Sequence, residues 1–280
     1  MMNNYVKSPI NYTGSKFKQL PQIMPYFPDK ISMMVDLFGG GFNVGVNCEA
    51  DHIIYNDKLT LLVELMECFN NNSYEDIVSY VNNQIDKFQL EYLNKETYTH
   101  FRDYYNSGKG NVLDFYILTC YSFNNQIRFN KKGGFNMPVG KNYFSPKQKN
   151  NLKEFLEVLH KKNVSFINKD FRSLDYDILD FDSFVYCDPP YLVTTAPYNE
   201  SSGWNREDEE NLLSLLSELN DRGIKFALSN MLSQGDKDND LLINWLIEKG
   251  FNCIAVQSKH PQYHKKSTNM EHEHVLIINY

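Results

Sequence analysis

Seven short runs rich in β-branched and aromatic residues, at 35–38, 52–56, 164–168, 184–187, 225–229, 252–257 and 275–279, constrain this 280-residue chain most strongly. Amphipathic helical stretches separate most of them, at 15–24 before the first run, 42–50 after it, and 207–220 and 240–249 later. Strands that alternate with helices imply an α/β domain with a mostly parallel sheet covered by helices on both faces. The last two runs are joined by the polar segment 258–271, which has no helical periodicity, so they are expected to pair antiparallel at one edge.

The stretch 59–163 reads differently. Apolar positions at helical spacing mark 61–69, 74–88, 97–105 and 112–123, and Ser145-Pro146-Lys147-Gln148 resembles a capping box opening a helix over 152–160. Within it, Asn130-Lys131-Lys132-Gly133-Gly134-Phe135-Asn136, followed by Pro138 and Gly140, has the composition of a turn or β-hairpin. The expected organisation is a first domain from 1–58 and 164–280, carrying a mainly helical domain over 59–163 with a hairpin near 128–140. No internal repeat is evident.

Composition enters through charge. The chain is acidic at −7, which by itself disfavours a nucleic-acid partner. Its distribution is uneven: 128–172 holds eleven Lys or Arg against three acids, whereas 173–221 holds twelve acids against Arg206. Such polarity is compatible with one basic surface or with two solvated faces. No apolar run approaches the roughly 20 residues of a membrane span. No signal peptide is visible in 1–18, and five widely spaced cysteines without a CxxC pair fit a reducing cytoplasm rather than a disulfide framework or zinc site.

Two motifs carry chemistry. In Val35-Asp36-Leu37-Phe38-Gly39-Gly40-Gly41 an apolar strand meets a Gly-rich turn, which is compatible with close backbone approach to a ligand or with a tight connection that holds none. About 20 residues on, the next strand ends at Asn56-Asp57, where a carboxylate can accept from ribose hydroxyls without separating nicotinamide cofactors from S-adenosylmethionine. The more specific motif is Phe184-Val185-Tyr186-Cys187-Asp188-Pro189-Pro190-Tyr191. Two prolines remove two donors and hold the chain extended, so a carboxylate, carbonyls and an aromatic ring gather at the sheet edge where ligands bind. Asp188 and the Pro189 carbonyl can accept the protons of an exocyclic amine while Tyr191 stacks on its ring.

Asp188 to Tyr191, preceded in the chain by the turn at Phe38 to Gly41, resembles the Dam-like D12 group, of α-type order, among amino methyltransferases that modify adenine N6 in DNA. The resemblance runs over most of the chain. Asn11-Tyr12-Thr13-Gly14-Ser15-Lys16 is similar to the motif whose aromatic residue and lysine flank the methionine end of S-adenosylmethionine. Asn168-Lys169-Asp170-Phe171 resembles the motif whose acidic residue and aromatic ring hold the cofactor's adenine. Phe123 to Asn130, with Gly134 to Pro138, is similar to the family's DNA-recognition hairpin. Phe42 and Gln126 depart from residue types that many relatives carry there.

The resemblance implies a seven-stranded, mostly parallel Rossmann-like methyltransferase sheet with an inserted helical target-recognition domain, using S-adenosylmethionine on double-stranded DNA. Its cofactor residues would be Tyr12, Lys16, Asp36, Phe38, Gly39, Gly40, Gly41, Asp57, Asp170, Phe171 and Asp188, and its catalytic residues Asp188, Pro189, Pro190 and Tyr191. The target base would flip out of the duplex, with 193–203 either closing over it or remaining a passive loop. Arg128 is expected to read a guanine, compatible with GATC, Gln126, Asn130, Asn136 and Pro138 to lie at the recognition site, and Phe123 and Asn124 to touch that site or fill the space the flipped base leaves. Lys131, Lys132 and Lys141 would meet phosphates.

A cognate restriction endonuclease would be a natural partner, and neither a membrane nor a metal is expected. His272, Glu273 and His274 read as an exposed edge without a third ligand, and Ser229-Asn230 as a support for the pocket or a simple turn. The alternatives within the same fold are transfer to cytosine N4 or to a protein glutamine, for which Ser or Asn is commoner at position 188. A DNA-binding protein without catalysis would have no need of Lys16, Asp57 and Asp188 together.

Overall fold

The computed structural model describes residues 5–194, 203–257 and 274–280. The chain forms two compact units: Met1–Phe17, Gly40–Asn47 and Leu59–Asn168 in the first, and Lys18–Gly39, Cys48–Lys58 and Lys169–Tyr280 in the second. Residues 5–17 and 40–47 therefore cluster with the helical insertion, whereas the sequence groups them with the sheet.

The sheet has seven strands: β1 (Met33–Asp36), β2 (His52–Asn56), β3 (Val164–Ile167), β4 (Ser183–Cys187), β5 (Lys225–Met231), β6 (Asn252–Val256) and β7 (His274–Ile278). Within the second unit they run in the order β2-β1-β4-β5-β7-β6. β1 pairs parallel with β2 and with β4, and β4 with β5. β7 is antiparallel to both β5 and β6, as expected for the last two runs. β4 is buried throughout, and the parallel core it shares with β1 reads as continuous apolar sequence for that reason. Phe184 and Tyr186, on one face of β4, pack on Phe27 at centroid distances of 4.7 and 5.5 Å.

Among the described residues the helices are α1 (Leu20–Ile23), α2 (Thr60–Asn71), α3 (Tyr74–Phe88), α4 (Lys95–Tyr104), α5 (Val112–Tyr121), α6 (Pro146–Leu159), α7 (Arg206–Asp221) and α8 (Asp240–Lys249). In the first unit α5 is buried on all sides from Asp114 to Tyr121 and packs on α2, α3 and α4. α6 starts as its sequence predicts, with Ser145 Oγ accepting from the Gln148 N–H and Pro146 at the first helical position.

The helix expected over 42–50 does not form; only a three-residue 3₁₀ turn, Gly45–Asn47, is present. Phe42 sits at φ 58°, a left-handed conformation that a helix cannot continue through. Asn43 and Asn47 spend their carboxamides on the N-terminal segment instead: Asn43 Oδ1 accepts from the Ser8 N–H, and Asn47 bonds both backbone groups of Val6. The helix expected over 15–24 is likewise broken into short turns, with Pro21 and Pro25 at their starts.

Candidate active site and nucleic-acid interface

In the second unit the C-terminal ends of β1, β2 and β4 gather the acidic candidates. β1 ends at buried Asp36, two residues earlier than its sequence suggests, so Leu37 to Gly39 form the turn. Its backbone is pinned across the sheet edge: the Leu37 N–H donates to Tyr186 O at 2.9 Å and the Gly39 N–H to Asn56 O at 2.7 Å. Burial and the charges of Asp57 and Asp36 push the Tyr55 phenol well up, and burial with Asp36 and Asp188 does the same to the Cys187 thiol. Asp36 stands in register with Tyr55 on β2 and with Tyr186 on β4, so Asp57 and Asp188 each follow two residues beyond a strand partner of Asp36.

Asn56, which sequence reasoning treated as a strand end, organises this edge. Its Nδ2 donates to Leu37 O at 2.9 Å and to Lys169 O at 3.1 Å, while its Oδ1 accepts from the Lys169 N–H at 3.1 Å. One carboxamide fixes the turn after β1 to the segment carrying Asp170 and Phe171. The glycine of the turn has a packing reason as well: a Cβ on Gly39 would overlap the Tyr55 ring.

Asp170 is engaged within the protein. Its carboxylate accepts from Arg172 N, Nε and Nη2 and from Lys58 Nζ, at 2.7–3.1 Å. The Arg172 hydrogen bonds hold its carboxyl far below the usual carboxylate range, against the opposing effect of burial. This is the carboxylate that the resemblance assigns to a cofactor's adenine, and within the protein its partners are Arg172 and Lys58. Phe171 beside it is buried and packs on Phe38 at 5.6 Å and on Trp204 at 5.7 Å. Trp204 in turn meets Phe38 edge-on, at 5.6 Å and 80°. Trp204 had no signal in the sequence beyond its place at the end of a polar stretch.

After β4, Asp188 to Tyr191 leave regular structure, as the two prolines require. The Tyr191 hydroxyl donates to Asp188 Oδ1 at 3.1 Å, and the ring packs edge-on to His274 at 5.9 Å. Burial raises the Tyr191 phenol well above its usual value, and Asp188 adds to this. Tyr186 and Ser229 share a hydrogen bond of 2.8 Å beneath the motif, and Asn230 donates to Glu209 at 3.0 Å, so Ser229-Asn230 supports neighbouring side chains rather than forming a bare turn. Most of the 193–203 stretch, and both His272 and Glu273, lie outside the described residues. Among the described residues no group of three or more His, Cys, Asp or Glu is placed to hold a metal ion.

The second unit fits an adenosine-bearing ligand on two features of its own. A carboxylate, Asp57, follows β2 at the edge where ribose hydroxyls are held in such sheets, and Phe38, Phe171 and Trp204 form an aromatic cluster in the same unit.

The first unit holds the remaining candidates. Gly40 has φ +49°, and a Cβ there would lie 2.9 Å from the Tyr12 ring; at Gly41 it would meet Asn43 at 3.2 Å. Lys16 is buried at 7% exposure, and its ammonium donates to Gly14 O at 3.1 Å. Asn43 Nδ2 donates to Ser15 Oγ at 3.2 Å, tying the 12–16 turn down.

The expected hairpin exists as a loop with two isolated bridges, Ser122↔Val139 and Phe129↔Phe135, rather than as two strands. Gly140 makes the crossing feasible, because a Cβ there would strike the Ser122 and Phe123 backbone. Asn130 closes the turn, its Oδ1 accepting from the Lys132 and Gly134 N–H groups. Phe135 is buried against Phe115 and Phe129, an anchor worth about 1.5–3 kcal/mol, and Asn106 pairs with both of its backbone groups at 2.8 and 2.9 Å. Phe123, Asn124, Gln126, Arg128, Asn130, Lys131, Lys132, Pro138 and Lys141 are exposed, and Asn136 is half-buried. Asn136 holds Arg128: its Oδ1 accepts from Nε at 2.8 Å and its backbone O from Nη2 at 3.0 Å. Asn106 and the holding role of Asn136 escaped sequence reasoning, since neither residue stands out from the many asparagines around it.

A family model for D12 class N6 adenine-specific DNA methyltransferase matches residues 12–260. Type II methyltransferase M.FokI of Planomicrobium okeanokoites is 44% identical over 99% of this chain and 43% of its own length. Type II methyltransferase M.MjaIII of Methanocaldococcus jannaschii is 31% identical over 80% of this chain and 84% of its own. A DNA adenine methylase of Vibrio cholerae is 28% identical over 79% and 80%. The chain thus spans less than half of the M.FokI protein and about four-fifths of the other two.

Proposed function

We infer the reaction from one premise: the chain belongs to the family of D12 class N6 adenine-specific DNA methyltransferases. We propose that it transfers a methyl group from S-adenosylmethionine to adenine N6 within a specific duplex DNA sequence. The observation that carries this reading is the Asp188-Pro189-Pro190-Tyr191 segment at the end of β4, beside the strand that ends at Asp36 and with the Tyr191 hydroxyl bonded to Asp188.

Adenine N6 is a weak nucleophile because its lone pair is delocalised into the ring. Asp188 and the Pro189 carbonyl accept its two N–H bonds, favour a pyramidal nitrogen and stabilise the positive charge that grows on it. The same Asp188 carboxylate accepts from the Tyr191 hydroxyl, which ties the two residues together. The atom is out of reach in the duplex, so the base flips, at a cost of a few kcal/mol that stacking on Tyr191 partly offsets. Bound S-adenosylmethionine supplies an electrophilic methyl group. Asp57 accepts from its ribose, Phe38 and Phe171 hold its adenine, and Asp170 with Asn56 keeps Phe171 in place. Tyr12 and Lys16 are assigned to the methionine end, and Gly40 and Gly41 to the cofactor without a stated end, by the resemblance of their motifs.

Arg128 reads a guanine, and Lys131, Lys132 and Lys141 meet phosphates. The recognised sequence therefore contains a guanine, a condition that GATC meets. The names of the relatives, type II methyltransferases among them, support a companion restriction endonuclease. Transfer of label from S-adenosylmethionine to duplex DNA by the wild-type chain, and its loss in Asp188→Ala with cofactor binding kept, is the expected result. Transfer at the wild-type rate by Asp188→Ala overturns the assignment.

A further inference from the structure

Among the described residues, Glu209 is the least exposed acidic side chain that the reaction above does not use. It lies in the first turns of α7, has 0% exposure, and is satisfied by neutral donors: Trp204 Nε1 at 2.8 Å on one oxygen, and Asn230 Nδ2 and Asn239 Nδ2, both at 3.0 Å, on the other. Those donors come from three places. Asn230 is on β5, Asn239 caps α8 through the Leu242 N–H, and Trp204 stands immediately before the cap of α7, Asn205. A buried carboxylate is costly unless its acceptor sites are met, so this arrangement demands an explanation beyond helix capping, which Asn205 and Asp208 already complete.

The consequence of the network is the orientation of one ring. Hydrogen bonding at Nε1 leaves the indole little freedom to turn, and it stands at 80° to Phe38 with Phe171 packed against both. A second tie reaches the same place from the other side: Arg172, stacked over Phe171 at 5.1 Å, donates to Asp208 Oδ1 at 2.9 Å. Phe38 and Trp204 keep part of their surface exposed whereas Phe171 is buried. The result is a right-angled aromatic corner with a buried floor, suited to a flat purine that stacks on one wall and meets the other with its edge.

We propose that Trp204 is a wall of the adenine site of the cofactor, and that Glu209 is a positioning residue that fixes its indole. This rests on the S-adenosylmethionine reading above and adds a residue to it that none of the recognised motifs contains. The chain has two tryptophans, Trp204 and Trp245, so intrinsic emission reports on the corner with a single background signal.

The test titrates the wild-type chain and the variants Trp204→Phe, Trp204→Ala and Glu209→Gln with S-adenosylhomocysteine and with adenosine, by calorimetry and by emission. Wild type is expected to bind both ligands with a change in emission. Trp204→Phe keeps a ring and binds within about threefold of wild type but loses the emission change; Trp204→Ala loses about tenfold or more in affinity, the range of one stacking contact. Glu209→Gln weakens binding about threefold to tenfold and shrinks the emission change while its melting curve stays cooperative, a signature that loss of packing alone does not give. Calorimetric binding by wild type with Trp204 emission unmoved, or with Trp204→Ala binding as wild type, overturns the inference and leaves the cofactor reading standing. Absence of binding by the wild-type chain overturns both. Should Trp204→Ala fail to fold, the emission comparison between wild type and Trp204→Phe decides alone.

Discussion

The Tyr191 hydroxyl donates to Asp188 Oδ1 at 3.1 Å, so the two chemical ends of the Asp-Pro-Pro-Tyr segment are tied to each other across its prolines. The prolines hold the chain extended and the hydrogen bond sets the direction of the carboxylate. Tyr191→Phe keeps the stacking ring and removes this tie, and is expected to lower the methyl-transfer rate by about tenfold, the worth of one hydrogen bond to a charged group. Asp188→Ala removes the acceptor itself and is expected to cost at least about a hundredfold to a thousandfold, with cofactor affinity still measurable. Single-turnover rates on duplex DNA, with binding measured separately, distinguish the two.

Arg128 is oriented before it meets any partner, since Asn136 accepts from its Nε and Nη2. The remaining N–H groups are enough for a bidentate contact to guanine. Arg128→Ala is expected to cost about 1–3 kcal/mol of discrimination at one base, and Asn136→Ala about 1 kcal/mol at the same base by loosening the guanidinium. Binding to a panel of single-base variants of the target checks this; an Asn136→Ala effect at a different base contradicts it.

Asn56 bonds Leu37 O, Lys169 O and the Lys169 N–H with one side chain. Asn56→Ala leaves those backbone groups near the sheet edge without that partner, and is expected to destabilise the fold by about 1–3 kcal/mol. Affinity for the cofactor should fall as well, because the turn after β1 and Phe171 lose their common anchor. Denaturant unfolding and calorimetric titration of the same preparation measure both.

How much of this was legible beforehand depended on the range of the interactions. The strands and the inserted helices follow from local periodicity, and the Asp188 motif from the chemistry of two prolines at a strand end. The failed helix at 42–50 shows the limit. Phe42 at positive φ and the carboxamides of Asn43 and Asn47, bonded to residues 35 or more positions away, override a pattern that is helical by spacing. Asn56 and Glu209 were hidden for the same reason, and Trp204 because the rings it packs on, Phe38 and Phe171, are distant in the chain. Their partners are 19 to 113 residues distant for Asn56, and for Glu209 as far as β5 and the cap of α8, so no window of sequence contains them.

Asp170 gives the stability a pH dependence of known sign. Arg172 and Lys58 hold its carboxyl well below the usual value of about 3.9, so its contribution is complete above that value and is lost as pH falls through the folded one. Because its partners are partly exposed, with side-chain accessibilities of 40% for Arg172 and 73% for Lys58, the contribution at neutral pH is about 1 kcal/mol or less. Asp170→Asn is expected to be less stable than wild type at pH 7, with the difference closing below about pH 4. A difference that widens on acidification contradicts the assignment.

The identity of the methylated nucleoside tests the central claim most directly. Duplex DNA incubated with the wild-type chain and labelled S-adenosylmethionine is digested to nucleosides and separated. N6-methyladenine should carry the label, and Asp188→Ala should give at least about a hundredfold less of it. Label in N4-methylcytosine, or in no nucleoside from folded protein that binds the cofactor, would contradict the account.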